Sequence, residues 1–132
     1  MPQNIFEFAD NPDNHDLQSS NSLHDAWLEC WSITEGDLEG AIGSRIISVE
    51  AKFLGPQHDR WIYLTYAGVD EIYVRASKPN GVIRSLNFGD LLAHEMLVAA
   101  ESTFSHELVF ACGAILFVRF HEFTHRIIVR ST

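Results

Sequence analysis

The sequence predicts an antiparallel β-sandwich or rolled sheet with at most one short helix. Three observations lead there. Apolar residues recur at every second position in several segments, the period of a half-buried strand. Those segments are short, dense in β-branched and aromatic residues, and separated by Gly, Pro and Asn turns at the spacing of a sandwich or barrel. Only one stretch, 90–100, also carries helical spacing.

Residues 1–22 are rich in Asn, Asp, Gln, Ser and Pro and read as a polar N-terminal arm, with 23–132 as a single β-rich domain. Within the arm, Asn11-Pro12-Asp13-Asn14 and Ser19-Ser20-Asn21-Ser22 are turn-like, while Ile5, Phe6 and Phe8 supply apolar side chains that either dock or belong to a free arm. Strand character starts at Ala26–Ile33, with Trp27, Leu28, Trp31 and Ile33. Glu35-Gly36-Asp37 and Glu39-Gly40 read as an acidic, turn-rich loop. Arg45–Phe53 is the clearest strand: Ile47, Val49, Ala51 and Phe53 share one face, and Ser48, Glu50 and Lys52 the other. Gly55–Asp59 is a loop, Trp61–Tyr66 a strand, Ala67-Gly68 a turn or bulge, and Glu71–Ala76 alternates again. Lys78-Pro79-Asn80-Gly81 predicts a tight hairpin, because Asn-Gly takes positive φ readily and Pro presets the angle before it; 82–86 would return as a strand.

The segment Asp90–Ala100 admits two readings. Leu91, Leu92, Glu95, Met96 and Ala99 fit a helix capped by Asp90. His94-Glu95-Met96-Leu97-Val98 also echoes His106-Glu107-Leu108-Val109-Phe110, as two arms of a hairpin around 101–105 would, and the strand reading is favoured. Leu108–Ala111, Ile115–Phe120 and Arg126–Val129 complete eight or nine strands, mostly antiparallel because their connections are short.

A chain of 132 residues with 46% hydrophobic and 20% charged residues suits one globular domain able to bury a core without metal or disulfide staples. Met1–Asp16 lacks the basic start and apolar run of a signal peptide, and Ala111–Val118 is far too short to span a bilayer, so a cytoplasmic chain with Cys30 and Cys112 reduced is expected. The charge is uneven. Residues 1–44 carry nine carboxylates and no Lys or Arg, so the whole net charge of −9 lies there, and the remainder balances nine acidic against nine basic residues. This disfavours nucleic acid and anionic lipid, which need a basic footprint, and favours a basic protein partner. The plainer function of an acidic segment is solubility.

His121-Glu122-Phe123-Thr124-His125 matches H-E-x-x-H, a spacing that holds Zn²⁺ when a helix puts both His on one face. Here the flanks read as strands, where the two His would stand ~13 Å apart at ~3.3 Å per residue. An accidental match in a hairpin loop is the better reading. His94, His106, His121 and His125, with Glu95, Glu107 and Glu122 behind three of them, offer a composite metal site or metal-dependent hydrolase as the alternative, with His94 and His106 on neighbouring strands. The His24-Asp25 pair is metal-binding on a helical scaffold; in a sheet it is expected to tie the lead-in of the first strand to backbone groups. No P-loop, dinucleotide fingerprint, Gly-x-Ser-x-Gly or nucleophilic triad spacing occurs, and no cofactor is expected. Trp27, Trp31, Trp61, Tyr63 and Tyr66 are expected mostly in the core; were Trp27, Glu29 and Trp31 to share an exposed face, they would make an acidic aromatic patch.

Ser22-Leu23-His24-Asp25-Ala26-x-Leu28, Tyr66-Ala67-Gly68-Val69, Gly89-Asp90-Leu91-Leu92-Ala93-His94-Glu95, and His106–Phe110 with Gly113 together resemble segments of small uncharacterised bacterial β-rich domains. Some of those are similar to immunity proteins that neutralise toxins delivered between bacteria. The resemblance covers about a third of the chain and implies no catalytic residue. The expectation is therefore a non-enzymatic protein-binding domain, immunity-like in its specific form. It would present Asp25, Glu29, Trp31, Glu35, Asp37 and Glu39 to a basic partner, as a monomer or as a homodimer joined through a sheet edge.

Overall fold

The computed structural model describes Ile5, Phe8 and residues 22–38, 41–75 and 88–130, with side chains at 37–38 and 41–44 excepted. The hairpin expected at 78–81, its returning strand, Phe6 and Glu39 lie outside the described residues. The strands are β1 (Trp27–Leu38), β2 (Ala41–Leu54), β3 (Arg60–Ala67), β4 (Glu71–Arg75), β5 (Leu91–Ala100), β6 (Thr103–Phe110), β7 (Ile115–Phe120) and β8 (Glu122–Val129). They form two four-stranded antiparallel sheets, ordered β1-β2-β3-β8 and β4-β7-β6-β5. No helix is among these elements, and the sheets do not close into a barrel among the described residues.

The alternation read from sequence sets the inner faces. On β2, Val49, Ala51 and Phe53 are buried, and on β3 so are Ile62, Leu64 and Tyr66. From the other sheet Leu108, Phe110, Leu116, Val118 and Phe120 close the core. Burying each of the Val, Leu, Ile and Phe side chains among these stabilises the fold by about 1.5–3 kcal/mol relative to exposure. Ile5 and Phe8 are buried in the same cluster, so the core draws on side chains from before residue 23.

Residues 90–100 resolve as a strand. Leu91–Ala100 pairs with β6 in antiparallel register, closing at Ala100↔Thr103 around Glu101-Ser102. The acidic loop expected around Glu35-Gly36-Asp37 is instead part of β1, where Glu35 faces Ile47 and Asp37 faces Arg45 across the β2 ladder. A long partner strand satisfies the backbone there, which outweighs the turn preference of the Gly.

The two sheets are joined by one bent ribbon. β3 runs into β4 and β8 continues β7, and each pair crosses from one sheet to the other at a shared corner. The His121 N–H donates to the Ala67 carbonyl at 3.0 Å there, and the Asp70 N–H to the Arg119 carbonyl at 3.0 Å. Gly68 makes the corner with φ 63°, and a Cβ at that position would stand 3.2 Å from the His121 side chain. His121 therefore sits at a crossing between sheets rather than in the hairpin loop expected for H-E-x-x-H, because β7 and β8 pair with different neighbours. A second seam lies at the start of β1, where the Asp25 N–H donates to the Leu91 carbonyl and the Leu91 N–H to the Ala26 carbonyl.

Candidate functional site

Where β1 begins, the lead-in is tied down by His24. Its Nδ1–H donates to the Leu92 carbonyl at 3.0 Å, its backbone N–H donates to Ser22 Oγ, and its Nε2 lies 3.4 Å from Asp25. This is the backbone-anchoring role expected of the His-Asp pair. Asp25 takes φ 67°, a left-handed turn that Asp tolerates better than most residues. The Trp27 indole N–H donates to the Asp90 carboxylate across the seam, and the Trp27 ring lies 4.4 Å from that of His58.

The expected acidic patch is distributed along the outer strand of its sheet. Asp25, Glu29 and Glu35 are exposed, and Glu35 pairs with Arg45 at 3.4 Å. Trp27 and Trp31 do not share an exposed face. A bulge between Leu28 and Cys30 inserts one residue, which reverses the parity of the strand. Trp27 stays 45% exposed on the outer face, while Trp31, opposite buried Ala51, turns to the core side with its Nε1 buried and without a hydrogen-bond partner among the described residues.

β1 pairs with β2 on one side, and on the other only an isolated bridge joins Trp27 to Asp90 among the described residues. Along this edge, unpaired beyond that bridge among the described residues, the only charged residues of β1 are the acids Glu29, Glu35 and Asp37, which oppose addition of an acidic strand and favour a basic one. Ile33 is 58% exposed. Beside this edge opens a cleft of about 270 Å³ lined by Trp27, Leu28, Glu29, Phe88, Gly89 and Asp90. Its walls are aromatic and aliphatic, and two carboxylates stand on it. The volume is just below the ~300–1,000 Å³ of small-molecule pockets, a size that suits one inserted side chain.

The histidines divide. His106 is fully buried on β6 and joins the two sheets: the Tyr66 hydroxyl of β3 lies 2.6 Å from its Nδ1. His106 Nε2 lies 3.0 Å from His94 Nδ1 on β5. With the Tyr66 O–H donating to His106 Nδ1 and the His106 Nε2–H donating to His94 Nδ1, both contacts are made by neutral side chains. Burial pushes the Tyr66 phenol well above its ordinary range, so it keeps its proton. Phe8 packs among these rings, 5.8 Å from His94 and His106 and 4.9 Å from His125 and Phe123. His125 is half-buried on β8, with Nε2 buried and unpartnered among the described residues, and desolvation holds its pKa below the ordinary value. His121 is apart, at the corner, where its Nδ1–H donates to the Ser102 carbonyl at 2.8 Å. Thus His94 and His106 meet as expected from their strands, His125 reaches them through Phe8, and His121 does not join. Among the described residues no group of three or more His, Cys, Asp or Glu is placed to hold a metal ion. Both cysteines are free thiols.

Sequence reasoning missed three parts of this geometry. These are the Asp90 carboxylate that accepts from Trp27, the Phe88 wall of the cleft, and the Tyr66–His106 contact between residues 40 apart in sequence. Phe88-Gly89-Asp90 ahead of an apolar strand was the one signal available. The chain matches no known protein family, no curated protein and no solved structure. No helix among the described residues is long and apolar enough to cross a membrane.

Proposed function

We propose that this chain is a non-catalytic protein-binding domain that takes a basic partner along the β1 edge. The observation that supports it is the cleft at the head of that edge, where Glu29 and Asp90 stand over the apolar walls of Trp27, Leu28 and Phe88. A Lys or Arg side chain is amphipathic in the same sense: its stem buries against apolar surface and its head seeks carboxylate. A partner strand laid on β1 would run along an edge that, beyond the Trp27–Asp90 bridge, has no paired strand among the described residues, and would meet exposed Ile33 beyond the cleft. Trp and Arg dominate interface energetics when such a pocket is filled. The uncompensated charge of residues 1–44 would speed the encounter at low salt. In its specific form the domain is an immunity-type protein that covers the substrate face of a basic toxin, a reading supported by this charge and by the sequence resemblance. It acts in the cytoplasm in that form.

The test is selection of displayed random peptides on the immobilised chain, followed by titration of the winners in solution. Enrichment of Lys or Arg among β-branched residues is expected, with binding lost in Glu29→Lys and weakened by salt. Winners without basic residues, or unaffected by Glu29→Lys, would sink the proposal.

A further inference from the structure

A second surface of the same sheet carries the opposite charge. The alternation of β2, β3 and β8 puts Lys52, Trp61, Tyr63, Arg126 and Ile128 on the outer face, opposite buried Ala51, Phe53, Ile62, Leu64 and Phe123. Lys52 faces Tyr63, and Tyr63 faces Arg126, across the two ladders. The side chains interleave: Lys52 Nζ lies 4.2 Å from the Trp61 ring centre and 5.7 Å from that of Tyr63. The Arg126 guanidinium lies 4.4 Å from the Tyr63 ring centre, and that of Arg130 5.0 Å from Trp61. The row therefore runs Arg130, Trp61, Lys52, Tyr63, Arg126. Three of the nine basic residues of the chain stand in it.

These cations are held but not neutralised. Arg45, Arg60 and Arg119 pair with carboxylates. Lys52, Arg126 and Arg130 pair with none among the described residues; the Arg130 guanidinium donates to the His58 carbonyl at 3.1 Å. Glu50, on the same face of β2 as Lys52, accepts from the Thr65 hydroxyl at 3.4 Å. The aromatic contacts hold these cationic heads in place on the face, where no carboxylate among the described residues pairs with them.

We propose that the outer face of β2, β3 and β8 docks an acidic, extended polypeptide segment whose carboxylates are taken by Lys52, Arg126 and Arg130. Charge complementarity selects an anion, and two features select a peptide over a nucleic acid strand. The ring faces of Trp61 and Tyr63 are covered by cations, so they offer no platform for stacked bases, which single-strand binders use. The net charge of −9 also opposes a polyanion far more than a segment with a few carboxylates. In an extended segment, carboxylates at alternate positions stand ~6.6 Å apart on one side, a spacing that lets neighbouring acids reach neighbouring cations of the row.

The experiment is a fluorescence-anisotropy titration of the full chain against a labelled peptide of alternating Glu and Thr. Peptides of alternating Lys and Thr, and a short oligothymidylate, are run beside it. Saturable binding of the Glu-Thr peptide alone is expected. It should weaken about fivefold in Lys52→Gln and in Arg126→Gln, the scale of an exposed ion pair, and recover in Arg126→Lys. Glu29→Lys, in the separate β1 cleft, should leave it no weaker, so this surface and the β1 edge fail independently. Unchanged melting curves would show that the variants fold. No saturable binding, binding insensitive to these substitutions in folded protein, or tighter binding of oligothymidylate would each overturn the proposal.

Discussion

Replacing Tyr66 with Phe tests whether a hydrogen bond through the core holds the two sheets in register. The substitution removes one oxygen and leaves the ring, whose contacts with Phe120 at 5.0 Å and Phe123 at 5.3 Å persist. What is lost is the 2.6 Å contact to His106 Nδ1, and His106 is fully buried. A buried polar atom stripped of its partner costs about 1–3 kcal/mol. In a domain of this size each kcal/mol moves the melting temperature by roughly 3–5 °C, so Tyr66→Phe should melt some 3–15 °C lower. Urea denaturation should show a lower midpoint with an unchanged slope, since the surface exposed on unfolding is the same. A double-mutant cycle with His106→Phe separates the bond from packing: the pair should couple by about 1 kcal/mol or more, because removing both partners strands fewer polar atoms than removing one. A Tyr66→Phe variant as stable as the parent, or a coupling near zero, would refute the reasoning.

Two further perturbations follow from the same region. Burial depresses the folded-state pKa of His125 below its ordinary 6.5, so the unfolded chain takes up the proton first as pH falls. Its contribution is whole above about pH 6.5 and is lost as the pH drops toward the folded value. Melting temperatures from pH 7.5 to 5 should therefore decline less steeply in His125→Phe than in the parent, and equal slopes would remove His125 as a source. Phe8→Ala should cost about 3–5 kcal/mol in urea, the scale of a large-to-small change in a packed core; a loss under about 1 kcal/mol would mean that Phe8 does not pack between His94, His125 and Phe123.

The proposed surfaces separate by sign. The β1 edge and its cleft present Glu29 and Asp90, while the outer face of the same sheet presents Lys52, Arg126 and Arg130. Both derive from the sheet order: among the described residues β1 is an outer strand with only the Trp27–Asp90 bridge on its far side, and β2, β3 and β8 bury only one face.

Much of the sheet structure was legible from local pattern. Val49, Ala51 and Phe53, or Leu116, Val118 and Phe120, alternate because a pleated strand places every second side chain in the core, and that period needs no knowledge of the partner strand. The anchoring role of His24 was legible for the same reason, since its neighbours in sequence frame the first strand. What only the tertiary structure decided is where parity and pairing depend on a distant strand. The bulge at Leu28/Cys30 turned Trp31 inward and left Trp27 outside, and β2 drew Glu35-Gly36-Asp37 into a ladder. The crossing at Gly68 and His121 sent β7 and β8 to different sheets. Tyr66 met His106, and Lys52 met Trp61 and Tyr63, through pairings that no spacing along the chain encodes. Local sequence sets which face of a strand is apolar; the free energy of closing one shared core sets which strands meet, and hence which side chains are left facing solvent together.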